Sequence, residues 1–307
     1  MRHVIALDVG GTSMKAALMA ENGALLLQER RPTPAAAGPD RVVAALVDFA
    51  VHLRDHGERE YGRPAVAIGV GVPGFVDEAT GTALYAANIG WRDVPLRTLL
   101  TDRLGGIPVA VGHDMRTGGL AEARLGAGRG LDRFLFVALG TGISAAIGID
   151  GRFEAGAHGA AGELGHVVVR RGGRACNCGQ SGCLETVASA SAVARAWAEA
   201  GGDPGATAAD AAEAVRRGDP RATAVWDDAI AALADGLAIG VHLLDPRALV
   251  LGGGLAESGD LLFAPLAGAL DARLTHHPHH PALLPAALGD TAGCLGAALL
   301  AWDLLPG

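Results

Sequence analysis

Two segments about 130 residues apart follow the same plan, and this repeat constrains the fold more than any other feature of the chain. Residues 4–19, VIALDVGGTSMKAALM, and residues 134–149, FLFVALGTGISAAIGI, each read as an apolar strand, a glycine-rich turn and a second strand of small residues. A duplicated α/β core follows. Val42, Leu46, Phe49, Ala50 and Leu53 have helical spacing, and VAIGVGVPG (66–74) returns to a strand ending in a Pro-Gly turn. Val225, Ile230, Leu233, Leu237, Val241 and Leu244 mark a long amphipathic helix that stops at Asp245-Pro246, directly before the strand ALVLGG (248–253). A small-residue helix over roughly 291–304 closes the chain. This alternation predicts a largely parallel sheet in each of two domains, and 307 residues suffice for two. Segments 202–220 and 271–282 read as loops or helix connections, and HHPHH (276–280), with a central Pro and no adjacent carboxylate or Cys, as a surface loop.

Glycine is abundant, 46 of 307 residues, and much of it sits in clusters after apolar runs. DVGGT (8–12), LGTGI (139–143) and LGGGLAES (251–258) are three such turns, where backbone N–H groups can form an anion-binding concavity. No G-x-x-x-x-G-K-[ST] is present, so the turns are not a P-loop. No G-x-G-x-x-G opens a helix after the first strand, so they are not a dinucleotide fingerprint. Lys15 is the one lysine among 25 basic residues, three residues beyond the first turn, where an ammonium can meet phosphate. The net charge of −8 opposes a nucleic-acid surface. The N-terminus shows no leader pattern, and no run of about 20 apolar residues spans a membrane.

Cys176, Cys178 and Cys183 form C-x-C-x₄-C with His166 ten residues upstream, a ligand set for structural Zn²⁺. The alternative is one disulfide with a spare thiol, which the C-x-C spacing and the missing leader oppose. Cys294, among Ala, Gly and Leu, reads as a small buried apolar residue. Asp114 ends the strand pattern IPVAVGHD near the boundary of the two repeats. Read from the residues alone, it is an N-cap candidate for MRTGGLAEARLG.

The runs ALDVGGTSMKAAL, GVGVPGFVDEATG, GTGISAAIGIDG, AGELGH, CNCGQSGCLE and LGGGLA resemble the ROK family (repressors, open reading frames, kinases) over nearly the whole chain. The resemblance implies an actin-like (ribonuclease H-like) duplicated two-domain α/β fold with an ATP and sugar cleft. Residues 1–112 plus 293–307 would form the small domain, and 113–292 the large domain with the zinc loop. It implies that Asp8 helps hold hydrated Mg²⁺, that Gly10, Gly11, Thr12, Thr141 and Gly142 flank the phosphates of ATP, and that Gly253 and Gly254 border the nucleoside. Asp114 aligns with the catalytic Asp. Gly74, Asn88, His113, Glu163, His166 and Glu185 are the candidate sugar contacts, with His166 shared between zinc and sugar. The implied activity is ATP-dependent phosphorylation of a hexose, with glucose at the C6 hydroxyl leading and an amino or modified hexose such as kanosamine as the alternative. A non-catalytic sugar sensor is a remote reading. A sugar-responsive repressor would need a winged helix before the first strand, which begins at residue 4. A cytoplasmic homodimer is expected. Two departures stand out: His113-Asp114 replaces the family's usual Asn-Asp, and Ser144, Ala145 and Ala146 replace a run of glycines.

Overall fold

The computed structural model describes residues 1–306, which divide into two compact units. The first comprises Met1–Ala121, Ala155–Ala160 and the chain from Asp290 onward; the second comprises Glu122–Glu154 and Ala161–Gly289.

In the first unit β1 (His3–Val9), β2 (Ser13–Ala20) and β3 (Leu25–Pro32) form an antiparallel meander. Helix α1 (Pro39–Tyr61) then leads into β4 (Ile68–Val72). A separate three-stranded sheet, β5 (Phe75–Asp77), β6 (Thr82–Ala86) and β7 (Trp91–Val94), precedes α2 (Leu96–Arg103) and β8 (Val109–His113). Helix α3 (Asp114–Leu125) follows β8 without a linker. The main sheet runs β3-β2-β1-β4-β8, with β1, β4 and β8 parallel.

The second unit repeats this plan. Strands β9 (Arg133–Leu139), β10 (Ile143–Ile149) and β11 (Arg152–Glu154) form the meander. Helices α4 (Glu185–Ala188), α5 (Ala190–Glu199), α6 (Ala208–Arg216) and α7 (Pro220–Leu244) precede β12 (Ala248–Gly252). Helix α8 (Asp260–Asp271) and β13 (Ala282–Pro285) complete it, and the strand order β11-β10-β9-β12-β13 matches the first sheet position for position. The last helix, α9 (Ala292–Asp303), belongs to the first unit, where it lies on β1 and β4.

Two expectations need correction. Neither sheet is largely parallel: each pairs an antiparallel meander with two parallel strands, because the glycine turns reverse the chain at once whereas the parallel strands need helical crossovers. The segment 202–220 is not only connection. Its alanine-rich stretch forms α6, opened by a capping box in which Thr207 and Asp210 satisfy each other's backbone N–H groups. HHPHH lies in the connection between α8 and β13, where His280 pairs with Asp271 and His277 lies 3.8 Å from Asp245.

Small residues let α9 sit unusually close to the first sheet. A Cβ at Gly69 of β4 would collide with the Ala297 carbonyl, and one at Gly296 with the Thr117 carbonyl of α3. Phe49 of α1 and Trp91 of β7 are fully buried in this unit's core; truncating Phe49 to Ala would cost about 3–5 kcal/mol. The stop of α7 is equally local. Asp245 adopts a left-handed backbone (φ 44°) as C-cap, and Pro246 cannot extend the helix. Among the described residues no helix is long and apolar enough to cross a membrane.

Candidate active site and metal loop

The first hairpin turn places a charged pair side by side. Asp8, near the end of β1, faces Lys15 on β2, and their charged atoms lie 3.8 Å apart. Burial raises the Asp8 carboxyl above its ordinary pKa, with Lys15 opposing that shift. Lys15 does not stand open toward a phosphate. Its ammonium bonds the Asp290 carboxylate and, at 3.2 Å, the Asp290 carbonyl, while Arg30 of β3 bonds the same carboxylate. Gly293 leaves room for Asp8, since a Cβ there would meet its carboxylate. A cavity of about 270 Å³ lies beside this network, lined by Lys15, Arg30, Asp290 and Cys294 among others. Cys294 is buried as expected, and burial together with the Asp8 charge pushes its thiol up to about 12. Asp290, Arg30 and Gly293 were invisible to sequence reasoning because they lie far from residue 8 along the chain.

The turn itself is closed by the Gly10 N–H donating to the Ser13 carbonyl at 2.9 Å, and Thr33 caps it by donating to the Gly10 carbonyl at 2.7 Å. Asn88, exposed, lies against Gly11: a Cβ on Gly11 would stand 3.1 Å from its Nδ2. Thr12 is exposed at the tip. Gly74 takes a left-handed backbone (φ 84°), and a Cβ there would collide with the Tyr85 carbonyl, so packing against β6 is itself a reason for glycine.

His113 and Asp114 occupy the junction of β8 and α3. Asp114 is the first helical residue rather than the residue before it, so it is not the N-cap expected from the sequence; its Oδ1 accepts the adjacent Met115 N–H at 2.6 Å. His113 is buried, and its Nδ1 shares that N–H at 3.2 Å. Desolvation, helped by the Arg116 charge, lowers its pKa to about 4, so the imidazole is neutral near pH 7. Glu78 braces the junction: Oε1 accepts from the His113 N–H at 3.3 Å and from Arg116 Nε at 2.9 Å, and Arg116 Nη1 donates to the Gly159 carbonyl at 3.3 Å. Glu78 lies within the run GVGVPGFVDEATG without being singled out there, and Arg116 carried no motif in the sequence.

In the second unit the remaining turns are backbone constructions. The Gly140 N–H donates to the Gly142 carbonyl at 3.0 Å, and Thr141 and Gly142 are exposed. Gly253 has φ 85° and approaches the Leu139 backbone so closely that a Cβ would clash, whereas Gly254 faces open space. The LGGGLA turn is thereby packed onto the LGTGI turn, and the Leu255 N–H bonds the Leu139 carbonyl at 3.0 Å. Glu122, fully buried, accepts N–H bonds from Ala127, Ala287 and Leu288, which ties two loops of this unit together.

His166, Cys176, Cys178 and Cys183 come together with all four ligand atoms within 4.8 Å of one another. The Cys178 and Cys183 sulfurs are 3.6 Å apart, and Cys176 Sγ lies 3.5 Å from His166 Nδ1. Those separations are far beyond a disulfide bond of about 2 Å. They match the edge of a tetrahedron with metal–sulfur bonds of about 2.3 Å, which is about 3.8 Å. The four cysteines are all free, and the donor set fits structural Zn²⁺. His166 turns Nδ1 toward the thiols and Nε2 toward Glu163, 3.6 Å away; Glu185 Oε1 lies 3.6 Å from Nδ1. Two carboxylates thus flank the imidazole that a metal would orient.

The ROK family model matches residues 4–303. The chain is 34% identical to the glucokinase of Halalkalibacterium halodurans, over 97% of this chain and 94% of that protein. It is 31% identical to the kanosamine kinase of Amycolatopsis mediterranei, over 97% and 95%. The crystal structure of a ROK family glucokinase from Streptomyces griseus, solved with glucose and AMPPNP, superposes with a TM-score of 0.83 at 32% identity, covering 98% of this chain and 99% of that one. Its mixed α/β two-unit architecture and its sequence make this chain a member of the ROK family, with the actin-like fold.

Proposed function

We propose that the protein is an ATP-dependent hexokinase that transfers the γ-phosphoryl group of ATP to the C6 hydroxyl of glucose. The observation that carries this reading is the full-length likeness, in both units, to glucokinases, one of them solved with glucose and an ATP analogue. The residues are suited to the work. Phosphoryl transfer to an alcohol needs positioning, charge neutralisation and a proton acceptor rather than covalent help. Asp114 takes the hydroxyl proton. Glu163 and Glu185 accept from other sugar hydroxyls, and His166 offers its Nε2 while Nδ1 serves the zinc. Gly74 and Asn88 complete the sugar contacts. Gly10, Gly11, Thr12, Thr141 and Gly142 flank the phosphates, Gly253 and Gly254 border the nucleoside, and Asp8 meets the hydration shell of Mg²⁺. The divalent ion supplies charge neutralisation on the phosphates when bound. Lys15 acts on Asp8 through their pairing as much as on phosphate. The enzyme works as a cytoplasmic homodimer.

His113 bears on the rival amino-sugar substrate. With Nδ1 accepting from Met115, the ring proton resides on Nε2, so His113 donates. A donor suits a hydroxyl oxygen and not the ammonium of a 3-amino sugar. A neutral His113 that accepted from the amine would have favoured the 3-amino sugar; a donating Nε2 favours glucose. ADP release across neutral, 2-amino, 3-amino and N-acetyl hexoses tests both readings: glucose should lead in kcat/KM, and a lead for the 3-amino sugar would reverse the assignment.

A further inference from the structure

The LGTGI turn and the metal loop meet at one carboxylate. Glu185, the first residue of α4, places Oε1 3.1 Å from Cys176 Sγ. Its other oxygen lies against Gly142: a Cβ built there would stand 2.9 Å from Oε2 and would meet no other atom within 4 Å. Gly142 is not in the left-handed region, so its backbone conformation does not itself demand glycine. The segments are also tied by backbone, since the Ala190 N–H at the start of α5 donates to the Gly140 carbonyl at 2.8 Å. An added methyl would therefore displace the flexible tip of Glu185 before it moved either chain segment.

We infer that Gly142 is a positioning residue for the Glu185 carboxylate, so that a position in the nucleotide turn sets the geometry of the sugar site. The inference rests on the reading of Glu185 as an acceptor of sugar hydroxyls. It separates two reasons for glycine at 142: close approach of backbone to phosphate, and space for a carboxylate that faces the metal loop. Only the second makes a substitution there act on sugar.

The experiment is a double-mutant cycle on zinc-loaded protein: wild type, Gly142→Ala, Glu185→Asp and the double variant. Glucose KM, ATP KM, zinc content and thermal midpoint are measured for each. Gly142→Ala should raise glucose KM about tenfold or more while ATP KM stays within about threefold, because small misplacements of binding groups carry large kinetic effects. Its zinc content and thermal midpoint should match wild type. The double variant should have a lower glucose KM than the product of the single effects, since the shorter aspartate withdraws from the methyl group. A rise in ATP KM alone, strictly multiplicative behaviour, or misfolding of Gly142→Ala would each overturn the inference. If wild type releases no ADP with any hexose, the proposed function fails instead. Calorimetric glucose binding then runs the same cycle, and absence of glucose binding to wild type would end both.

Discussion

The two glycine hairpins share a plan and differ in what they carry. In the first, four residues separate the last paired residues, Val9 and Met14, and Asp8 stands opposite Lys15; in the second, three separate Leu139 and Ile143, and Ala138 stands opposite Ser144. The first hairpin holds a buried carboxyl with an ion network around it, and the second presents only backbone and small side chains. The units differ likewise. The first holds Asp8 and Asp114, and the second holds the Cys₃His loop with Glu163 and Glu185. The strand plan occurs twice, whereas the proposed proton acceptor and the proposed metal-linked sugar contacts each lie on one copy. Loss of a first-unit carboxylate should strike turnover, and damage to the metal loop should strike affinity.

The largest expected effect tests the first half of that contrast. Asp114→Asn keeps the size and can still accept the Met115 N–H, but it cannot take a proton from the sugar. The turnover number should fall by about 10²–10⁴-fold or more. Zinc content and the thermal midpoint should hold. Near-normal turnover would place the base elsewhere.

The metal loop comes next. Elemental analysis of wild type should give about one zinc per chain, lost in Cys176→Ser and in Cys183→Ser. Because His166 links the thiols to Glu163, sugar KM should rise about 10–100-fold, ahead of any change in ATP KM. A zinc-free variant with unaltered sugar KM would break the division of labour.

A smaller effect concerns pH. His113 titrates near 6.5 when unfolded and near 4 when folded, so between those values the unfolded chain binds more protons. Its neutral burial is therefore fully tolerated above about pH 6.5 and destabilises progressively as pH falls toward 4, by at most about 3 kcal/mol. His113→Asn should flatten the midpoint-versus-pH curve in that window and leave it unchanged at pH 8. An identical slope in the variant would assign the acid sensitivity to other groups, such as buried His3, whose pKa is also lowered, chiefly by burial.

The smallest expected change is in stability at Lys15. Its partner Asp290 is 69% exposed, and such pairs contribute at most about 1 kcal/mol. Lys15→Met should shift unfolding by no more than that while reducing turnover through Asp8. A large loss of stability would make the network structural.

The chain alone determined a good deal. The hairpins, α1, α7 and α9 were legible because their signals are local: glycine after an apolar run, helical spacing of Leu and Val, and Asp-Pro as a stop. The metal ligands were legible because three of the four fall within eight residues. Helix α6 was missed because its buried face consists only of alanines, Ala208, Ala211, Ala212 and Ala214, which give no strongly apolar signal, although Thr207 and Asp210 mark its start. Only the tertiary structure could decide that Asp290 and Arg30 close on Lys15, that Glu78 and Arg116 brace the residue before Asp114, and that Glu185 fills the space left by Gly142. Those contacts join side chains distant in sequence. A hydrogen bond or a missing Cβ takes its meaning from the atom opposite, and sheet pairing and helix packing determine which atom that is.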